Sequence, residues 1–369
     1  MKASAALALC ALLLPGCVDS KAENVAPADR VQHELAADAI PASVRRAIDR
    51  MFADSEEMGE TRALLILKDG KTVYEAYGPG FGPDSRLISW SMAKSVTAVL
   101  IGILVADGRL ALDDPAPVPE WQRPGDPRGA ITLRHLLHMA SGLDHIETAD
   151  PAWEADTVTM LFGPGAPDMA AYAEAKPPVA QPDERFNYSS ATSVILSDIA
   201  TRALTESPSP AMRRAAMMSF INGRLAVPAG MHSLRAEFDA KGTLIGGSIM
   251  HATARDYARF GELLRQGGAT PEGTHIVPEK WVDFMRSPSK ADGGYGGHIW
   301  LNRGRPEGSN QSLWPGEGPA DIFACIGHQG QYIIVSPSQR LTVVRLGIST
   351  EGKQRPNVRA ALQQIVSAF

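Results

Sequence analysis

Cysteine is almost absent: the 369 residues hold three, Cys10, Cys17 and Cys325. Only Cys325 lies in the body of the chain, which excludes an internal disulfide framework and a cysteine-based zinc cage. An excess of positive charge is also missing. Thirty-six Lys and Arg face 41 Asp and Glu, a net charge of -5, and no long Lys/Arg run occurs. The electrostatic footprint of a nucleic-acid binder is lacking, so nucleic acid is not an expected partner. There is no internal repeat, no low-complexity block, no Gly-x-Ser-x-Gly elbow and no phosphate loop. What remains is ordinary: 44% hydrophobic, 21% charged and 6% aromatic residues, with 34 Gly and 27 Pro. That balance describes an enzyme-like globular body of one large domain or two intimate ones.

Met1-Lys2, an apolar run from Ala3 to Leu14 and then Pro15-Gly16-Cys17 form an export signal, too short for a membrane span. Leu14, Gly16 and Cys17 resemble the bacterial lipoprotein box. Residues 1–16 are therefore expected to be removed, with Cys17 lipidated and the chain anchored to a bacterial membrane facing the periplasm; simple cleavage and release to the periplasm is the alternative. Residues 17–39 read as a flexible tether.

The folded domain is expected over 40–369. Val44, Ala47, Ile48, Met51 and Phe52 recur at helical spacing behind Pro41. A hairpin follows, Arg62 to Leu67 and Thr72 to Tyr77 around Asp69-Gly70. Near the other end, Gln331 to Val335 and Leu341 to Leu346 are apolar runs followed by a helix with Val358, Leu362, Ile365 and Val366. Strands at both ends with helices between them predict an α/β (α+β) fold: one antiparallel sheet built from both chain ends, flanked by helices, with an inserted mostly helical domain. The α/β part is assigned to 40–112 and 290–369, the helical part to 113–289. Within the latter, Thr132 caps a helix expected to stop at Gly142, Ser209-Pro210 opens another, and Thr253 caps a third ending at Gly267-Gly268. His145 to Arg185 and Arg303 to Ala320 read as long irregular stretches.

Chemistry concentrates in Ser89-Trp90-Ser91-Met92-Ala93-Lys94-Ser95, which leads into an apolar run ending at Val105. A helix entered at Ser91 stacks Ser91 and Lys94 on one face, about 5–6 Å apart at Cβ. A serine hydroxyl needs a neighbouring base, and lysine is one only when desolvation lowers its pKa. The amide at the helix mouth can also serve an oxyanion. Ser-x-x-Lys alone is a weak signal. A second copy, Ser287-Pro288-Ser289-Lys290, sits in a Pro- and Gly-rich loop where neither stacking nor burial is supplied.

The stretch from Leu87 to Gly108, Ile131 to Leu137 with Ser141-Gly142-Leu143, Phe186-Asn187-Tyr188-Ser189-Ser190, Gly246-Gly247-Ser248 with Ala252 to Asp256, and Gly327-His328-Gln329-Gly330-Gln331 follow one another in a familiar order. Together they resemble the serine β-lactamase/penicillin-binding-protein superfamily (the β-lactamase/transpeptidase-like fold), within it the class C-related branch of esterases and 6-aminohexanoate-dimer hydrolases. The resemblance implies Ser91 as the acylated nucleophile, Lys94 as adjacent base or relay, and Tyr188 as the tyrosine of the Tyr-x-Asn/Ser element. Lys94 and Tyr188 would share a proton as a coupled pair, either of them the formal base. It further implies Ser190, His328 and Gly330 in substrate binding, and an oxyanion hole from the backbone N–H groups of Ser91 and Gln331. His328-Gln329-Gly330 takes the place of the family's Lys-Thr-Gly strand. A neutral histidine there, and serine in place of asparagine at Ser190, argue against β-lactam carboxylate recognition and for ester or amide substrates.

Two rivals are weighed against this. His135, His138, Asp144, His145 and Glu147 could be a metallohydrolase cluster, but they lack a His-Glu-x-x-His base and a clustered third ligand, so no metal or other cofactor is expected. The other rival is a non-catalytic lipoprotein that keeps the fold and binds peptidoglycan or a protein. A pure binder has no need of a nucleophile with its relay, and the expected partner is a small ester or amide.

Overall fold

Alternation of side chains along the strands, with both faces of the sheet apolar, dictates the architecture. In the computed structural model, which describes residues 40–350 and 352–369, the chain begins with α1 (Ala42–Ala53) and α2 (Ser55–Met58). The hairpin β1 (Glu60–Lys68) and β2 (Lys71–Tyr77) follows. Asp69 at φ 54° and Gly70 at φ 75° form its two-residue turn, the left-handed pair that matches strand twist. Next come β3 (Leu87–Ile88), α3 (Met92–Ala106), α4 (Leu133–Leu137), α5 (Asp156–Phe162), α6 (Met169–Glu174), α7 (Ser190–Leu204) and α8 (Pro210–Ile221). β4 (Arg235–Ala236), β5 (Met250–Ala252), α9 (Ala254–Arg265), α10 (Glu279–Met285), β6 (Trp300–Leu301), β7 (Phe323–Gly327), β8 (Gln331–Ser336), β9 (Leu341–Ile348) and α11 (Gln354–Val366) complete the chain.

The main sheet runs β2-β1-β9-β8-β7-β6, every described pairing antiparallel. The two chain ends meet at β1 and β9, as expected. Leu64, Ile66, Val343 and Ile334 point to one face and pack with Val44, Ile48, Val358 and Ile365 of α1 and α11. Leu65, Val344, Ile333 and Val335 point to the other, toward α3, α7 and α9. Each such fully buried aliphatic side chain contributes roughly 1.5–3 kcal/mol of transfer free energy.

Three expectations need correction. The Thr132-capped helix ends at Leu137, before Gly142, because Met139 turns left-handed at φ 54°. The stretch from His145 to Arg185 contains α5 and α6, short helices whose Met160, Leu161, Met169 and Ala173 are buried; its many Pro and Gly residues sit in the connections. Finally, α9 was counted with the helical insert but lies on the sheet. A Cβ at Gly261 would approach Thr342 and Ile333 side chains to 2.7 and 2.8 Å, so glycine is what lets this helix press against β8 and β9.

Candidate active site

A small second sheet, β3-β5-β4, delivers the chain to the mouth of α3. Ser89 N–H donates to Met250 O at 2.8 Å, and Ser89 Oγ accepts from Met250 N at 3.1 Å. Trp90 then takes φ 44°, a left-handed conformation costly for a bulky residue and held here by the surrounding bonds. That sharp turn presents Ser91 as the N-cap of α3.

Lys94 lies one turn on and is 1% exposed. Its Nζ is 3.0 Å from Ser91 Oγ, 2.8 Å from Ser190 Oγ and 2.7 Å from Gly247 O. Burial pushes its pKa down to about 8, partly opposed by the Glu147 carboxylate 3.9 Å away. The Tyr188 ring stands 4.8 Å from the same nitrogen and its hydroxyl hydrogen-bonds Ser91. Burial, with Glu147 adding to it, raises the Tyr188 pKa. The structure thus brings Ser91, Lys94 and Tyr188 within mutual reach, and drives the two candidate bases in opposite directions.

The double glycine of Gly246-Gly247-Ser248 has a steric reason. A Cβ on Gly246 would meet Ser197 Oγ at 2.3 Å and Thr97 Oγ1 at 2.4 Å, and one on Gly247 would meet Ser190 O at 2.5 Å. Only a bare backbone fits between α3 and α7 and offers its carbonyl to Lys94. Asn187 ties the Tyr188 loop to the insert through Leu143 O and His145 O, at 3.1 and 2.9 Å. Neutral His298, held down to about 3 by burial, binds Leu137 O through Nδ1 and Ser193 Oγ through Nε2, both at 2.8 Å; its carbonyl accepts from Ser95 Oγ at 2.7 Å. It pins α4 and α7 to α3.

Other expected residues fall differently. Ser190, expected to contact substrate, is 1% exposed and its hydroxyl is committed to Lys94 and to Glu147. His328-Gln329-Gly330 forms the turn between β7 and β8 instead of a strand, with Gln329 at φ 59° and Gly330 at φ 81°. His328 reaches the turn before α3, its ring edge-on to Trp90 at 5.4 Å. Gly330 faces away: a Cβ there would meet Arg345 Nη1 at 2.9 Å, whereas one at Gly327 would meet Ser89 O at 2.4 Å. Gly327 is therefore the glycine that admits the Ser89–Ser91 segment. Gln331 pairs opposite Gly327 at the start of β8, and its side chain binds Gly347 O and His328 O.

Sequence reasoning weighed Glu147 only as a metal ligand. Here its Oε2 accepts from Ser190 N at 2.6 Å and Thr157 Oγ1 at 2.7 Å, and its Oε1 accepts from Ser190 Oγ at 2.7 Å. No signal within the chain marks that contact, since it depends on the loop after Leu143 folding back. The other members of the metal cluster disperse. His135 caps α4, His138 stacks on Phe284, and His145 Nε2 binds Ala173 O. The second Ser-x-x-Lys copy lies on a surface loop, with Ser287 Oγ donating to Asp283 O and Lys290 paired to Asp183 in solvent. A cleft of about 1000 Å³ between the β1–β2 hairpin and α9 holds charges that pair among themselves, Arg255 with Glu75 and Arg265 with Glu262.

Known proteins share sequence and fold with this chain. The family model described as Beta-lactamase matches residues 49–367. A 6-aminohexanoate-dimer hydrolase of Paenarthrobacter ureafaciens is 26% identical over 303 residues, 78% of this chain and 72% of that protein. Among solved structures, a D-stereospecific amidohydrolase from Streptomyces sp. superposes with a TM-score of 0.61 at 19% identity, covering 89% of this chain and 99% of that one. A family VIII carboxylesterase gives 0.60 at 16% identity, covering 86% and 95%. These likenesses share the fold.

Proposed function

The chain belongs to the beta-lactamase family, and from that premise we propose that it is a serine hydrolase acting on ester or amide bonds through a covalent acyl-enzyme. The observation that carries the reading is Lys94 Nζ, buried, 3.0 Å from Ser91 Oγ. Lys94, with its pKa lowered to about 8, is the better base; Tyr188, whose phenol holds its proton more tightly than usual, is placed to donate it to the leaving group. The proton of Ser91 passes to Lys94 Nζ, Oγ bonds the substrate carbonyl carbon, and the carbonyl π pair moves onto oxygen. That oxyanion is assigned to the backbone amides of Ser91 and Gln331. The oxyanion pair re-forms the carbonyl as the bond to the leaving group breaks, and the leaving group takes the Tyr188 proton, which the Lys94 ammonium replaces. Water then adds to the acyl carbon, one of its protons passing through Lys94 to Ser91 Oγ as the acyl bond breaks, which returns the free enzyme.

The histidine at His328, in the place of the family's lysine, supports linear esters or amides over β-lactams. The named activities of relatives, a 6-aminohexanoate-dimer hydrolase, a D-stereospecific amidohydrolase and a carboxylesterase, point the same way. Export and a lipid anchor at Cys17 belong to this proposal; residues 1–39 lie outside the described residues.

Intact-mass analysis after treatment with a fluorophosphonate tests the reading. Wild type gains one adduct and Ser91→Ala none; equal labelling of both removes Ser91 from the mechanism, and no labelling of either leaves the binding lipoprotein. A screen of p-nitrophenyl esters, linear amides, D-amino-acid peptides and a chromogenic cephalosporin should find ester turnover and little cephalosporin cleavage.

A further inference from the structure

We propose that Glu147 is a positioning residue that sets the direction of the hydrogen-bond chain feeding the nucleophile, by taking the only proton of Ser190. The inference rests on the Ser91–Lys94 acyl-enzyme reading and deepens it. Each hydroxyl has one proton to give. Ser190 Oγ lies 2.7 Å from Glu147 Oε1, and a carboxylate can only accept, so the Ser190 proton points at Glu147. Ser190 must then accept from Lys94 at 2.8 Å, as Gly247 O must at 2.7 Å. A neutral lysine has two N–H groups and one lone pair. With both N–H groups drawn to these two acceptors, the lone pair is left for Ser91 Oγ, 3.0 Å away. Ser248 Oγ, 3.3 Å from Ser190 Oγ, can donate to it and does not reverse this polarity.

Glu147 is itself over-determined. Ser190 N–H and the Thr157 hydroxyl hold Oε2 at 2.6 and 2.7 Å, so the carboxylate cannot rotate to serve substrate or a hydrolytic water. The groups that face Lys94 from neighbouring elements are Glu147 from the loop before α5, Tyr188 from the loop before α7, and neutral His298 from the turn before β6. Among the described residues, Glu147 alone of these brings a negative charge. Replacing it by glutamine keeps an acceptor for Ser190 N–H but turns an amide N–H₂ toward Ser190 Oγ. The hydroxyl then flips and donates to the lysine lone pair, masking the base.

The test measures acylation of the full chain by p-nitrophenyl acetate across pH, for wild type, Ser91→Ala, Glu147→Gln, Glu147→Asp, Ser190→Ala and the Glu147→Gln/Ser190→Ala double variant. Glu147→Gln should lower the high-pH plateau on the order of 10²-fold, the lower end of a general-base contribution. Its rising limb should move to lower pH, because the charge that favours the ammonium is gone. The double variant should be no slower than Glu147→Gln alone, since the masking hydroxyl has been removed. Glu147→Asp keeps the charge and should hold the limb near its wild-type position, which serves if the glutamine variant does not fold. A wild-type profile for Glu147→Gln, equal limb shifts in the glutamine and aspartate variants, or additive losses in the cycle would overturn the inference. Undiminished acylation in Ser91→Ala would instead overturn the reading beneath it.

Discussion

Two cations, Lys94 and Arg345, are fully buried, and hydroxyl and carbonyl oxygens hold both. Lys94 is held by a serine hydroxyl, a second serine hydroxyl and a carbonyl. Arg345, on β9, donates to Gly330 O at 2.9 Å, Glu60 O at 3.1 Å, Thr61 Oγ1 at 3.2 Å and Ser349 Oγ at 2.9 Å. Burial lowers both, Lys94 to about 8 and Arg345 to about 10. Desolvation alone therefore does not make a base. The lysine starts low enough that burial brings it within reach of neutral pH, while the guanidinium starts so high that it stays charged and serves as a staple between the His328–Gly330 turn, β1 and β9.

Exchanging one cation for the other breaks the comparison hardest. Lys94→Arg keeps a buried positive charge but supplies no lone pair, so acylation should fall by about 10²–10⁴, as for loss of a general base; stopped-flow release of p-nitrophenol measures it. In wild type the same rate should climb with pH and level off above a midpoint near 8, since below it Lys94 carries the proton it must accept. A flat profile between pH 6 and 9 would leave Lys94 without that role.

On the other side, Arg345→Met strips donors from four oxygens that remain buried. Urea unfolding should show a loss of about 2–4 kcal/mol, with unpaired carbonyls and hydroxyls as the cause. The pH midpoint of acylation should not move, because Arg345 does not face Lys94. A shifted midpoint with unchanged stability would reverse the roles assigned to the two cations. The smallest effect is expected at Lys290, a cation in solvent within the second Ser-x-x-Lys copy. Lys290→Ala should change stability by less than about 0.5 kcal/mol and leave acylation alone, as exposed pairs do.

Local patterns were legible wherever the contact lies within one element. Ser91 and Lys94 share one helix turn, Asp69-Gly70 closes one hairpin, and the strands at both ends alternate between two apolar faces. Tyr188 could be singled out only through the resemblance, because its approach to Ser91 spans two loops. Ser190 was placed in substrate binding, and burial at the start of α7 turned it inward instead. Gly330 was placed in substrate binding, because the residue pattern does not tell which glycine of a tight turn faces the Ser89–Ser91 segment.

By itself the chain's order of residues determined the Ser91–Lys94 pairing and the sheet beside it, since periodicity of 3.6 or 2 puts near neighbours on a common face whatever surrounds them. Tertiary packing decided which nitrogen or oxygen holds each proton. The Lys94 pKa depends on water excluded by α7 and by the bare backbone at Gly246-Gly247, and the orientation of Ser190 depends on a carboxylate 43 residues away along the chain. Electrostatics and hydrogen bonds act through space, so no reading along the backbone contains them.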